Sequence, residues 1–242
     1  MTKVATTRFS WEGGTFECER AFESQWVNRL ILEGQTYPIL PFIGPVSAVV
    51  DIGANAGAAA CHFARAYPEA TVYALEPAAA MYTLCTRNVA QLDNVVVERV
   101  ALHERDGEAL LYAGSNHSMT ASLTRSDETF ADGETVVVRD AAAWARERGL
   151  SRLDIVKIDT EGSEVPILRA LEPLLPSVKV LYVEYHSDDD RRTIDGIVAS
   201  THVLALGLMT SATGEVVYLN RHEAPDGFTL AQWGKRTLGS QR

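Results

Sequence analysis

The sequence predicts an α/β fold: a mostly parallel seven-stranded sheet with helices on both faces and an antiparallel last strand. Three observations predict it. Short apolar runs alternate with helical stretches from residue 46 to residue 220. Several of these runs are apolar throughout, as strands covered on both faces are. The last two, His202–Leu206 and Glu215–Leu219, are joined through Met209–Gly214, which leaves no room for a crossover helix. Parallel neighbours need a dozen or more linking residues, so these two strands must pair antiparallel.

Residues 1–45 form a lead-in. Within it Glu17 to Leu32 carries Phe22, Trp26, Val27, Leu30 and Ile31 at helical spacing, with Gly34 as a stop and Pro38, Pro41 and Pro45 beyond. Residues 46–220 form the main domain. Val46–Asp51 is its first strand, Ala58–Ala66 an Ala-rich helix, Thr71–Leu75 the second strand and Ala78–Ala90 a helix with Met81, Leu84 and Cys85 on one face. Val95–Leu102 is the third strand. A detour follows, with extended runs at Ala109–Tyr112 and Thr135–Val138 and a polar loop through Asn116, His117 and Ser118. Then come a helix at Ala141–Arg148 ended by Gly149, a fourth strand at Leu153–Asp159, a helix at Glu164–Leu171, a fifth strand at Val178–Tyr185 and a helix at Asp189–Ala199. Residues 221–242 are a tail.

With 242 residues, 46% of them hydrophobic, the chain can build one sizeable core. Its formal net charge of -10 repels a phosphate backbone, so a nucleic-acid partner is not expected. The small basic clusters Arg191-Arg192 and Lys235, Arg236, Arg242 read as solvated surface. Three cysteines, Cys18, Cys61 and Cys85, lack any close spacing, so a disulfide framework or zinc site is not expected and a reducing cytoplasm is the expected compartment. The N-terminus has no apolar h-region, and no run approaches the roughly 18 apolar residues of a membrane span. No oligomeric state follows from the sequence.

The most informative stretch is Asp51-Ile52-Gly53-Ala54-Asn55-Ala56-Gly57, a strand end running into a glycine turn and a helix. Open α/β sheets bind ligands at this edge. Dinucleotide sites use G-x-G-x-x-G with a pyrophosphate at the helix N-terminus. Here no glycine occupies position 55, and Asp51 would repel a pyrophosphate. S-adenosylmethionine carries a sulfonium and an ammonium and no phosphate, and an acid beside the turn suits it. Glu76, followed by Pro77, stands about 20 residues after the turn, where a carboxylate accepts from ribose hydroxyls. Val100-Ala101-Leu102 suits a flat heterocycle.

With these residues in view the chain resembles the FkbM family of methyltransferases. Asp51 to Gly57 is similar to the family's D-x-G-A-N-x-G, Glu76-Pro77 to its ribose-binding acid and proline, and Asn88 stands where the following helix usually carries an asparagine. Lys157-Ile158-Asp159-Thr160-Glu161-Gly162-Ser163-Glu164 resembles its K-I-D-x-E-G-x-E. The likeness runs from about residue 35 to residue 185 and less fully to 220. It implies the class I methyltransferase Rossmann-like fold, S-adenosylmethionine bound by Asp51, Gly53, Asn55, Gly57, Glu76, Pro77, Ala101 and Asp159, and methylation of a hydroxyl on a sugar or secondary-metabolite scaffold. An amine acceptor would use the same apparatus.

Methyl transfer mainly requires alignment of the acceptor and removal of its proton. Asp159 with Glu161, and Glu184 with His186, are expected to share faces at the ends of the fourth and fifth strands. His186 is the preferred general base, since its unperturbed pKa is near neutrality. Asp159 is expected to line the pocket, with Glu184 beside it. Glu161 and Glu164 also suit the start of the next helix through its dipole. Asp159, Glu184 and His186 can alternatively ligate a divalent metal, which is not favoured. His117 is a remote candidate for acceptor contact, and His62 reads as structural.

Overall fold

The computed structural model describes residues 4–12, 14–114, 117–123 and 129–223. The expected tail with Lys235, Arg236 and Arg242, and the loop residue Asn116, lie outside them.

The chain opens with an antiparallel hairpin, β1 (Thr6–Trp11) and β2 (Gly14–Glu19), and only then enters α1 (Phe22–Leu32). The expected helix from Glu17 therefore starts later. The pairing with β1 takes residues 14–19 as a strand, with Phe16 and Cys18 fully buried in the core and Glu17 held by Thr6 and Arg8 of the paired strand. The expected apolar face of α1 is also corrected: Phe22 is 75% and Trp26 56% exposed, while Ser24, Asn28 and Leu32 face inward. The Asn28 amide donates to Ser24 O at 2.7 Å, so the buried polar group is satisfied inside the helix.

The main sheet follows. β3 (Ala48–Ile52) is buried at every position and leads to α2 (Ala58–Ala66), whose alanines and Phe63 pack on the sheet. β4 (Thr71–Leu75), α3 (Ala79–Asn88) and β5 (Val95–Glu98) complete the first half. The predicted third strand, Val95–Leu102, is interrupted after Glu98. β6 (Ala101–His103) leaves the main sheet and pairs with a second, four-stranded one formed with β7 (Gly107–Gly114), β8 (His117–Ser122) and β9 (Thr129–Asp140), in the order β6-β9-β7-β8. His117 thus begins a strand instead of sitting in a loop, because the detour is a sheet in its own right.

Asp140 caps α4 (Ala141–Glu147) by accepting from Ala143 N at 2.7 Å. Next come β10 (Ile155–Ile158), α5 (Glu164–Leu171), β11 (Val180–Tyr185), α6 (Asp188–Val198), β12 (His202–Met209) and β13 (Gly214–Asn220). The main sheet runs β12-β13-β11-β10-β3-β4-β5, with β13 antiparallel to both of its neighbours. The predicted antiparallel pairing of the last two strands is present.

The two sheet faces carry separate cores. One joins the hairpin, α1, α2 and α3 through Phe16, Phe63, Met81 and Tyr182; the other joins α4, α5 and α6 through Trp144, Ile167 and Ile194. Among the described residues no helix is long and apolar enough to cross a membrane.

Asn88, at the end of α3, ties the lead-in to the glycine turn. Its amide donates to Glu17 O at 2.7 Å and to Ala56 O at 2.8 Å, and its oxygen accepts from Glu17 N at 2.9 Å. An Asn88→Ala substitution leaves these groups without partners and is expected to cost about 1–3 kcal/mol. Urea denaturation should show a lower midpoint with an unchanged slope.

Candidate active site

The turn after β3 is built by two close approaches. Gly53 has φ +79, and a Cβ there would lie 1.9 Å from Asp159 O, so the backbones of the first and fourth parallel strand ends can touch only at glycine. Gly57, at φ +90, would place a Cβ 2.9 Å from Cys85 Sγ. Asn55 takes a left-handed φ of 50, which asparagine tolerates. Its N–H donates to Glu76 Oε2 at 2.8 Å, and Ala78 N donates to Glu76 Oε1 at 2.8 Å. Each carboxylate oxygen keeps a further lone pair for a ligand. Burial pushes the Glu76 carboxyl up to about 7, against those two N–H groups.

Parallel register places Lys157 of β10 directly beside Asp51 of β3. The Lys157 ammonium lies 3.1 Å from Asp51 Oδ1 and 3.4 Å from Asp159 Oδ2, and donates to Gly53 O at 2.6 Å. Both Asp51 and Lys157 are almost wholly shielded from water. Burial opposes the lysine's charge, yet the two aspartates hold its pKa above the usual lysine value. Asp51 therefore faces Lys157, not the open cavity.

Next to Asp159 stand Glu184 of β11 and Glu215 of β13, which are register partners. Burial and the charge of Asp159 push Glu184 up to about 9, so it is protonated at neutral pH and donates to Asp159. Burial disfavours the Asp159 charge, but Lys157 and the Glu184 hydrogen bond hold its pKa below the usual carboxylate range. The Tyr37 hydroxyl, 3.3 Å away, also reaches Asp159 Oδ2. Burial raises Glu215, as does Asp159.

His186 lies just past β11 and does not line the cavity. Its Nε2 is 2.9 Å from Glu161 Oε2, and its Nδ1 is 3.8 Å from Glu164 Oε2. Burial works against the imidazolium, but Glu161 and Glu164 push its pKa up to about 11. In this arrangement the ring is a cation with no lone pair to offer at neutral pH. Glu161 has a left-handed φ of 57, the less usual choice for a glutamate. Glu164 holds that turn by accepting from Thr160 N at 2.9 Å and Gly162 N at 3.1 Å.

The resulting cavity has a volume of about 240 Å³. Of the residues expected at the site, Gly53, Asn55, Glu76, Pro77, Ala101, Asp159 and Glu184 line it, and so does Glu161. Asp51, Gly57 and His186 stand behind its walls. Its apolar end at Val100, Ala101 and Leu111 can receive a heterocycle, Glu76 can accept from a vicinal diol, and the acids opposite match a cation. The residues present fit S-adenosylmethionine. Sequence reading missed Tyr37, Lys157 and Glu215. Lys157 was discoverable, being two residues before Asp159 and so on its face; Tyr37 and Glu215 carry no local signal. His62 is structural as expected, with Nε2 2.9 Å from Tyr37 O. Among the described residues no group of three or more His, Cys, Asp or Glu side chains is placed to hold a metal ion.

The methyltransferase FkbM domain model matches residues 51–215, and the chain belongs to this family. S-adenosylmethionine is therefore its cofactor. The chain is 26% identical over 159 residues to the 2-O-methyltransferase NoeI of Sinorhizobium fredii, covering 60% of this chain and 65% of that protein. It is 24% identical over 185 residues to the hexuronic acid methyltransferase AglP of Haloferax volcanii, covering 72% of this chain and 66% of that one. The match thus spans a little under two thirds of each relative's length. Among solved structures, Aeropyrum pernix fibrillarin with S-adenosyl-L-methionine has a TM-score of 0.48 at 12% identity, covering 90% of this chain and 84% of that one.

Two outcomes are expected. Lys157→Met strands Asp51 and Asp159 in a nearly dry site and should cost about 3–5 kcal/mol in chemical denaturation; adding Asp51→Asn should recover part of it. For Glu76, ionisation on raising the pH through about 7 improves it as a double acceptor. Calorimetric affinity for the demethylated cofactor should therefore rise across that range. In Glu76→Gln it should be about ten- to a hundredfold weaker and flat with pH.

Proposed function

We propose that this protein transfers a methyl group to a hydroxyl oxygen of an uncharged small molecule, foremost a sugar or a secondary-metabolite scaffold. The observation that carries the reading is the carboxyl row Asp159, Glu184, Glu215 facing one cavity with the Gly53–Asn55 turn and Glu76. An acid-rich wall repels a carboxylate acceptor. It would hold an amine as its ammonium, whose lone pair is occupied. A hydroxyl suffers neither penalty. The name of one relative, a 2-O-methyltransferase, supports an oxygen acceptor, and that of the other, a hexuronic acid methyltransferase, supports a sugar-type scaffold, although the acid it names carries a carboxyl group that the proposed acceptor lacks.

In this reading residues 46–220 carry the cofactor site, and the lead-in 1–45 roofs it with Asn28, Ile31 and Tyr37. Gly53, Asn55, Glu76, Pro77 and Ala101 would hold the cofactor, with Asp51 and Gly57 shaping the turn from behind. S-adenosylmethionine supplies a methyl carbon activated by positive sulfur. The Asp159–Glu184 pair, sharing one proton, takes the acceptor's hydroxyl proton on its ionised carboxyl as the carbon–oxygen bond forms. His186 serves as the charge partner that orients Glu161, in place of the base role its type suggested.

Asp159→Asn should lower turnover on a hydroxyl acceptor by about 10²–10⁴-fold, and Glu184→Gln, which keeps a neutral donor beside Asp159, by much less, with its affinity for the demethylated cofactor within a few fold of wild type. His186→Gln should keep most of the activity, and the rate should be level from mildly acidic to mildly basic pH. A rate that climbs steadily towards the His186 value of about 11 and is lost in His186→Gln would return the base role to the histidine. Products methylated only on amines, from a mixed acceptor panel, would overturn hydroxyl transfer.

A further inference from the structure

A second cavity, of about 450 Å³, adjoins the first between the Gln35–Pro38 stretch and strands β11, β12 and β13. Tyr37 and Glu215 line both spaces. Away from these two residues its character changes. Leu30, Pro38, Leu206, Leu208 and Val217 give it an apolar wall, with Gln35 and Thr36 at its Gln35–Pro38 side. Leu208 is 78% exposed, an unusual degree for a leucine beside a concave surface. Nothing in the cofactor arrangement uses this groove: the glycine turn, Glu76 and Ala101 all line the first cavity alone.

We propose that the groove receives the apolar body of the methyl acceptor, so that the substrate is an amphiphile whose reacting hydroxyl lies at the Asp159–Glu184 side and whose aliphatic or aromatic part lies against Leu206 and Leu208. The inference rests on the hydroxyl-transfer reading and deepens it. Its occupant follows from continuity. Tyr37 and Glu215 stand at the junction, with the carboxyl row on one side and an apolar trough on the other. A molecule long enough to pass them meets acceptors and donors at one end and hydrocarbon at the other. The Tyr37 hydroxyl is already engaged with Asp159 at 3.3 Å, so it presents its ring, not a free polar group, to the passage. Each methylene fully buried in such a trough is worth about fourfold in affinity.

The test uses methyl and octyl β-D-glucopyranoside, the latter below its micellar concentration. Binding to the full chain saturated with the demethylated cofactor is read by calorimetry. The octyl glycoside should bind at least about thirtyfold tighter, equivalent to two to three buried methylenes. Leu208→Asp should bring it down to the level of the methyl glycoside with cofactor affinity and melting temperature unchanged, and Leu206→Asp, at a residue that also packs on the core, should do so with a lowered melting temperature and unchanged cofactor affinity. Equal affinities in the wild type, binding of neither glycoside, or an octyl preference that survives both substitutions would overturn the proposal. Methyl transfer is followed in parallel by mass spectrometry. Product from both glycosides without an octyl preference leaves hydroxyl transfer standing and removes the groove. An octyl preference lost in Leu208→Asp, with product on no hydroxyl, leaves the groove and removes hydroxyl transfer.

Discussion

The ammonium of Lys157 is the charge around which the site is organised. It sits between two adjacent parallel strands, nearly out of reach of water, with Asp51 on one side and Asp159 on the other. An isolated ammonium there would lose its proton. Two carboxylates and the carbonyl of Gly53 keep it charged, and the charge in return fixes the strand ends and the glycine turn relative to each other. Removing any one member leaves the rest as unpaired buried charge, which is why such clusters break more expensively than they form.

The remaining charges follow from that one cation. Lys157 is shared by Asp51 and Asp159, and although His186 Nε2 lies 3.8 Å from Glu184 Oε1, burial and the neighbouring Asp159 charge outweigh it and raise the Glu184 pKa. Farther along the same edge Glu161 and Glu164 would repel each other, and His186 is held as a cation between them. The edge of the sheet thus alternates between acids and compensating protons or cations, and its open side stays acidic. That suits a positively charged ligand and an acceptor with a proton to give up.

The lead-in completes the site from above. Tyr37 packs edge-on against Tyr182, with ring centroids 5.6 Å apart, and lies within 5.9 Å of the Lys157 ammonium. The hairpin is pinned to the turn by Asn88, and Gly34 lies so close to His62 that a Cβ would come within 2.9 Å of its ring. α1 turns Ser24 and Asn28 inward and leaves Phe22 and Trp26 outward, and it reaches the cavity wall with Val27, Asn28 and Ile31.

Strand and helix periodicity, the short link between the last two strands, and the Asp51–Gly57, Glu76 and Lys157–Glu164 strings were enough to determine the sheet, its antiparallel end and the family. These are local signals: a run, a turn or a spacing that the chain must satisfy within a few residues. The tertiary structure alone decided the lead-in hairpin, the second sheet and the departure of β6 after Glu98, since each depends on which distant strand offers hydrogen bonds. It also decided that Asp51 turns to Lys157, that Glu184 stands next to Asp159, that His186 lies against Glu161 and that Tyr37 and Glu215 line the cavity. A side chain's charge state depends on burial and on neighbours brought from far along the chain. No spacing in the sequence records that Lys157 lies 3.1 Å from a carboxylate more than a hundred residues earlier.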